Sequence, residues 1–250
     1  MSPMWSPEIL VITAATFVLA GFVKGVIGLG LPTVVLALLT ATVGLKEAMA
    51  LMLIPSFATN VWQALAGGSF RIIVRRLWPL FVSACIVTWF GTGLLAQTDT
   101  VWSSALLGVL LCVYSSVRLL TPPIPSPGRW ERCLSPAVGI VNGLLTGLTG
   151  SFVVPGVLYL QALGLQRDAL VQAMGILFTV STLALAVSLQ GHRLLPANLG
   201  MLSTMALIPA FCGIVFGQWI RHRLTEQRFR TVFFFSLLAL GIYIVGRSLL

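Results

Sequence analysis

Lys24 stands immediately before a glycine-dense segment, Gly25-Val26-Ile27-Gly28-Leu29-Gly30, which is followed by Pro32 and Thr33. A second such segment follows Asn142, carries Thr146, Gly147, Thr149 and Gly150, and leads through Ser151 to Pro155. Residues of these types in this order could bind a small anion. A broken helix leaves N–H groups free at the start of the next half-helix, and the helix dipole makes that end favour negative charge. Glycine lets backbone approach a ligand closely. The hydroxyls of Thr33, Thr146, Thr149 and Ser151 add donors, and Lys24 adds a cation if it faces a cavity. Together with Asn60, on a polar helix face described below, these residues form the candidate binding set. Two structural alternatives stand beside this reading. The glycines could serve close helix packing, and Lys24 could be a cytoplasmic anchor that snorkels to the interface.

Other chemistry finds no footing in the sequence. It contains no HExxH, GxSxG or P-loop spacing, and both histidines, His192 and His222, lie beside arginines in connecting segments. The four cysteines, Cys85, Cys112, Cys133 and Cys212, form no CxxC pair and read as small packing residues. Glu47 and Asp168 occupy turns next to Lys46 and Arg167, where ion-paired helix capping is expected rather than a proton relay. No enzyme activity, cofactor or metal is expected.

The elements that must hold the candidate set are set by hydropathy. Of 250 residues, 58% are hydrophobic and 8% charged, too few polar groups to cover a water-soluble core. Apolar blocks run over 8–23, 26–43, 47–66, 77–96, 101–119, 134–148, 152–165, 169–189, 199–219 and 232–249. Each must be helical, because a lone strand leaves its backbone unpaired in lipid and the alternation of a membrane barrel is missing. The fold class is therefore all-α and polytopic. The first block lacks a basic start and a cleavage site and reads as a retained span. The net charge of +9 is dispersed at block ends, so no nucleic-acid partner is expected. If the blocks alternate across the membrane, 12 of the 15 Lys and Arg fall on one side, which the positive-inside rule makes cytoplasmic, with both termini outside. Trp5, Trp78, Trp102, Trp130 and Trp219 lie near block ends as an aromatic belt would, whereas Trp62 and Trp89 read as packed between helices.

The halves of the chain resemble each other. Lys24-Gly25-Val26-Ile27-Gly28 corresponds to Asn142-Gly143-Leu144-Leu145-Thr146-Gly147, Gly44–Ala48 to Gly164–Ala169, and Gly68–Ile72 to Gly191–Leu195. These matches predict a first membrane repeat over 1–120, a cytoplasmic linker over 121–133 and a second repeat over 134–250. With five blocks in each, the second is inverted relative to the first, a frequent transporter architecture. Blocks 134–148 and 152–165 are shorter than the ~20 residues of a bilayer crossing, so broken or re-entrant helices are expected near the midplane. Ser56, Thr59, Asn60 and Gln63 follow Pro55 on roughly one helix face, with Gln172, Thr179, Ser181 and Thr182 as counterparts. Such groups either line a polar path or bond across helices.

The segment Phe22–Gly30, its mate Gly143–Gly150 and the turns at Gly44–Ala48 and Gly164–Ala169 resemble the TauE/SafE sulfite exporter family, also called the sulfonate-uptake permeases. The resemblance spans both halves. It implies a bacterial inner-membrane transporter, without ATP hydrolysis, of sulfur-containing anions such as sulfite, sulfonates or thiosulfate. It also implies about eight spans in two repeated halves, which ten blocks match if one hairpin per half is re-entrant. The chain departs from the family pattern where Leu29 and Leu31 interrupt the first glycine run and where Ser151–Pro155 lacks a glycine. The expected partners are a small anionic substrate, the lipid bilayer, a coupling proton or other ion, and a further copy of the chain. The competing readings are a carrier or channel for an unrelated solute and a non-transporting assembly protein.

Overall fold

A computed structural model describes residues 6–120, 125–195, 197–223 and 225–249. Trp5, residues 121–124 of the expected linker and the side chain of His222 lie outside the described residues. Among those described there is helix and no strand. The helices are α1 (Pro7–Ile27), α2 (Leu31–Thr42), α3 (Leu45–Leu65), α4 (Phe70–Gln97), α5 (Thr100–Leu120), α6 (Glu131–Thr149), α7 (Gly156–Ala162), α8 (Arg167–Gly191), α9 (Ala197–Met205), α10 (Leu207–Ile220) and α11 (Glu226–Leu249). Among the described residues, seven helical segments are long and apolar enough to cross a bilayer, with α9 and α10 counting as one from Leu199 to Ile220. Many large apolar side chains of these helices face outward, among them Val11, Ile72, Phe90, Ile208 and Val215. Water does not tolerate so much contiguous apolar surface, whereas lipid does.

Local chemistry sets the helix ends. Ser6 caps α1 by accepting the Ile9 N–H, and Pro7 follows at the first turn, where no N–H is needed. Gly28 ends α1 and Gly150 ends α6, both in the left-handed conformation (φ 79° and 73°) that glycine adopts without penalty. The expected division between blocks at Lys24–Gly25 is therefore displaced. Helix α1 runs through both residues and breaks at Gly28–Gly30. The block at 199–219 is also divided, at Ala206. Pro209 is the cause: its ring lacks an N–H and collides with the carbonyl four residues back, that of Met205, where α9 stops.

The chain forms two compact units, each drawn from both halves of the sequence. The first comprises residues up to Pro55, 104–119 and 196–250. Here α1 packs along α10, with Gly21 and Gly25 against the backbone of Ala210, Ile214 and Gly217. A side chain at either glycine would collide with backbone, so these small residues set the helix spacing. Helix α5 meets α11 through Gly108 and Gly241 and through Tyr114 and Phe234, whose rings lie 5.3 Å apart. Pro55 cannot donate to the carbonyl of Leu51, four residues earlier. Ser203 of α9 does so instead at 2.7 Å, while its oxygen accepts the Ile54 N–H.

The second unit comprises residues 56–103 and 120–195. It is organised the same way, with α6 packed along α4. Gly139, Gly143 and Gly147 lie against Leu80, Ala84, Thr88 and Gly91. Gln63 donates to the Val171 carbonyl at 2.9 Å and Gln172 donates to the Ala64 carbonyl at 2.8 Å. The oxygen of Gln172 also accepts the Ser69 N–H at 2.8 Å. Two expectations about large and small side chains fail here and in the first unit. Trp62 is 75% exposed rather than packed between helices, and Cys85, Cys133 and Cys212 lie at the surface. Trp89 is 44% exposed as well, although part of its ring lies against Gly191 and the ring of His192.

Candidate functional site

The candidate residues fall into two groups, one in each unit. In the first unit Lys24 occupies the last turn of α1 and is 7% exposed. Its carbonyl accepts the N–H of the capping Gly28 at 2.8 Å. Leu29 and Gly30 then carry the chain into α2, with Gly30 at φ 108° as the N-cap. Helix α2 begins Leu31-Pro32-Thr33, all buried. The first amides of any helix lack intrahelical partners. Proline removes one here, and the N–H groups of Leu31 and Thr33 have no hydrogen-bond acceptor among the described residues. Two buried amides at the positive end of a helix dipole and a buried lysine thus belong to one unit.

In the second unit the chain between Gly150 and Pro155 joins α6 to the short α7. Asn142 of α6 is fully buried, and its Oδ1 accepts the Gly156 N–H at 3.0 Å. Its Nδ2 has no hydrogen-bond partner among the described residues. Thr146 Oγ1 donates to the Asn142 carbonyl at 2.7 Å. Thr149 Oγ1 donates to the Leu145 carbonyl at 2.7 Å and accepts the Ser151 N–H at 3.2 Å. A threonine hydroxyl has one proton. Those of Thr146 and Thr149 are committed to carbonyls of their own helix, so these two residues shape the break rather than offer donors. Ser151 is buried within it, Gly150 caps it, and Gly147 packs on Thr88 and Thr92 of α4. Asn60 is also fully buried in this unit.

Counting back from the capping glycines changes one pairing. Gly21, Gly25 and Gly28 of α1 stand where Gly143, Gly147 and Gly150 of α6 stand, relative to cap and packing partner. Lys24 then matches Thr146, one helical turn beyond the Asn142 that the sequence alignment pairs with it. The polar face after Pro55 also resolves. Gln63 and Gln172 bond across helices, and Thr179 and Thr182 bond to carbonyls of α8. The sequence carries no signal for Ser203 at the Leu51 carbonyl or for Gly156 as the donor to Asn142, because each partner is brought in by tertiary packing.

This pattern of buried, glycine-capped helix breaks in an apolar bundle accompanies a match of residues 13–244 to the family described as Sulfite exporter TauE/SafE. The chain belongs to that family. Membership makes it a membrane transporter of the sulfur-anion class and accounts for nearly its whole length. No curated protein and no solved structure matches this TauE/SafE chain.

Proposed function

We propose that this TauE/SafE protein is a secondary transporter that carries a small sulfur-containing anion, such as sulfite, a sulfonate or thiosulfate, across a bacterial inner membrane unchanged and without ATP hydrolysis. The observation that carries the reading is the start of α2. Amides of Leu31 and Thr33 stand buried without acceptors among the described residues, in the same unit as the buried Lys24. A buried amide without a partner costs roughly 1–3 kcal/mol, and an anion at the helix start supplies the missing acceptor. Gly28 and Gly30 form the turn that presents these amides, and Thr33 adds its hydroxyl.

In the second unit the free Nδ2 of Asn142 plays the corresponding part, with Gly147, Thr149, Gly150 and Ser151 giving the break its shape and Asn60 adding a buried polar group. Two inverted repeats with both termini outside fit the charge asymmetry and the like use of glycine in α1 and α6. The test is flux into proteoliposomes of sulfite, thiosulfate, alkyl sulfonates and carboxylates measured side by side. Saturable flux of at least one sulfur anion, reduced by Lys24→Ala, supports the reading. Equal leakage of all solutes would identify a channel, and no flux at all a non-transporting protein.

A further inference from the structure

Four arginines outside the helix breaks gather at the starts of α4 and α6. Arg75, Arg76, Arg129 and Arg132 line a pocket of about 770 Å³ with Trp78 and Ser135. The first turn of α4 holds no acidic residue, although a helix start is already partly positive. One carboxylate faces the group. Glu131 accepts two hydrogen bonds from Arg76, at Nε and Nη2, 2.6 and 2.7 Å long. That fork neutralises a single charge. Arg75 and Arg132 make no hydrogen bond or ion pair among the described residues, and Arg129 lies over the Trp130 ring at 5.7 Å. Three exposed cations without a carboxylate partner therefore line one pocket, a concentration of positive charge that favours an anion.

The surroundings say which anion. Trp78 and Trp130 are 57% and 60% exposed, as tryptophans at a lipid–water interface are. From Trp78 the exposed apolar residues Val82 and Ile86 continue at four-residue spacing along one face of α4. Trp78 thus belongs both to the lining of the charged pocket and to an exposed apolar stripe along α4, the side of a helix that lipid covers. Guanidinium groups match phosphate oxygens in a bidentate fork, which suits a phosphodiester. We propose that this pocket binds the phosphate of an anionic phospholipid headgroup, with an acyl chain against Trp78, Val82 and Ile86. The site is separate from the anion pathway proposed above and does not depend on it.

The test is lipid binding to the purified full-length protein in detergent, by native mass spectrometry, with phosphatidylglycerol, phosphatidylcholine and inorganic phosphate as probes. Phosphatidylglycerol is expected to bind the unmodified protein, and the other two are not. The double variant Arg75→Gln/Arg132→Gln removes cations that have no protein partner, so the fold is retained. Its affinity for phosphatidylglycerol should fall about 30-fold, from roughly 1 kcal/mol per arginine at a membrane surface. Arg75→Lys/Arg132→Lys should recover only part of the loss, because an ammonium keeps the charge but not the bidentate fork. Unchanged phosphatidylglycerol binding in the Gln variant would overturn the proposal. Binding of inorganic phosphate as tightly as the lipid would overturn it too, by making the pocket a site for soluble phosphate.

Discussion

Asn142 Oδ1 accepts the N–H of Gly156 at 3.0 Å, while the Nδ2 of the same side chain is buried without a partner among the described residues. One half of the amide joins α6 to the start of α7, and the other half is left as a donor inside the unit. A purely structural asparagine would satisfy both ends, because a buried donor without an acceptor is costly.

Asn142→Asp keeps the acceptor for Gly156 and removes the free donor. Placing an acidic group there opposes an incoming anion. Flux of the sulfur anion should fall at least about tenfold, the effect of ~1.4 kcal/mol on a barrier. Size-exclusion behaviour of Asn142→Asp checks that the buried acid leaves the protein folded, and Asn142→Leu, which also deletes the bond to Gly156, gives the cost of losing that bond. Flux equal to that of the unmodified protein would take Asn142 out of the transport path.

Lys24→Ala removes the buried cation of α1. The protein is expected to insert and remain monodisperse, with anion uptake or efflux weakened by about tenfold or more. The kinetics of flux in proteoliposomes decide the matter. Unaltered kinetics would return Lys24 to the role of an anchor.

Glycines divide by what surrounds them. A Cβ on Gly143 would land on the backbone carbonyl of Ala84, so Gly143→Ala should cost about 1–3 kcal/mol through overpacking between α4 and α6. Gly246 in α11 has open space around it. There Gly246→Ala should stabilise by roughly 0.5–1 kcal/mol, the helix propensity difference. Thermal unfolding in detergent reads both, and opposite signs are expected.

Gln172 makes two backbone hydrogen bonds and Gln63 makes one. Each lost bond that strands a buried partner costs roughly 1–3 kcal/mol. Gln172→Leu should therefore lower the melting temperature more than Gln63→Leu, because it strands both the Ala64 carbonyl and the Ser69 N–H. Equal shifts would mean that water replaces these contacts.

Hydropathy alone makes the helices and their lipid-facing surface legible, since a bilayer admits few alternatives. Gly150 and Pro155 likewise mark the end of α6 and the start of α7 in the sequence. Lys24 is not so legible. A charge between apolar blocks reads as a boundary, yet α1 continues through it because Gly25 packs on α10 and the left-handed cap comes only at Gly28. The threonines mislead for a related reason. Thr146 and Thr149 appear polar in sequence, but in an apolar helix their hydroxyls turn back to the carbonyls four residues earlier. Trp62 is read as packed from its depth in the block, while its helix face is settled by tertiary contacts. The proposed lipid pocket gathers arginines from α4 and from the turn and first residues that open α6, more than fifty positions apart in the chain, so no local pattern announces it.

The most direct measurement is flux of sulfite, thiosulfate, alkyl sulfonates and carboxylates through proteoliposomes of the unmodified protein, with Lys24→Ala in parallel. Saturable transport of at least one sulfur anion, selective over the carboxylates and weakened by the substitution, is the expected result. Absence of any response to the sulfur anions in a correctly inserted protein would contradict the account.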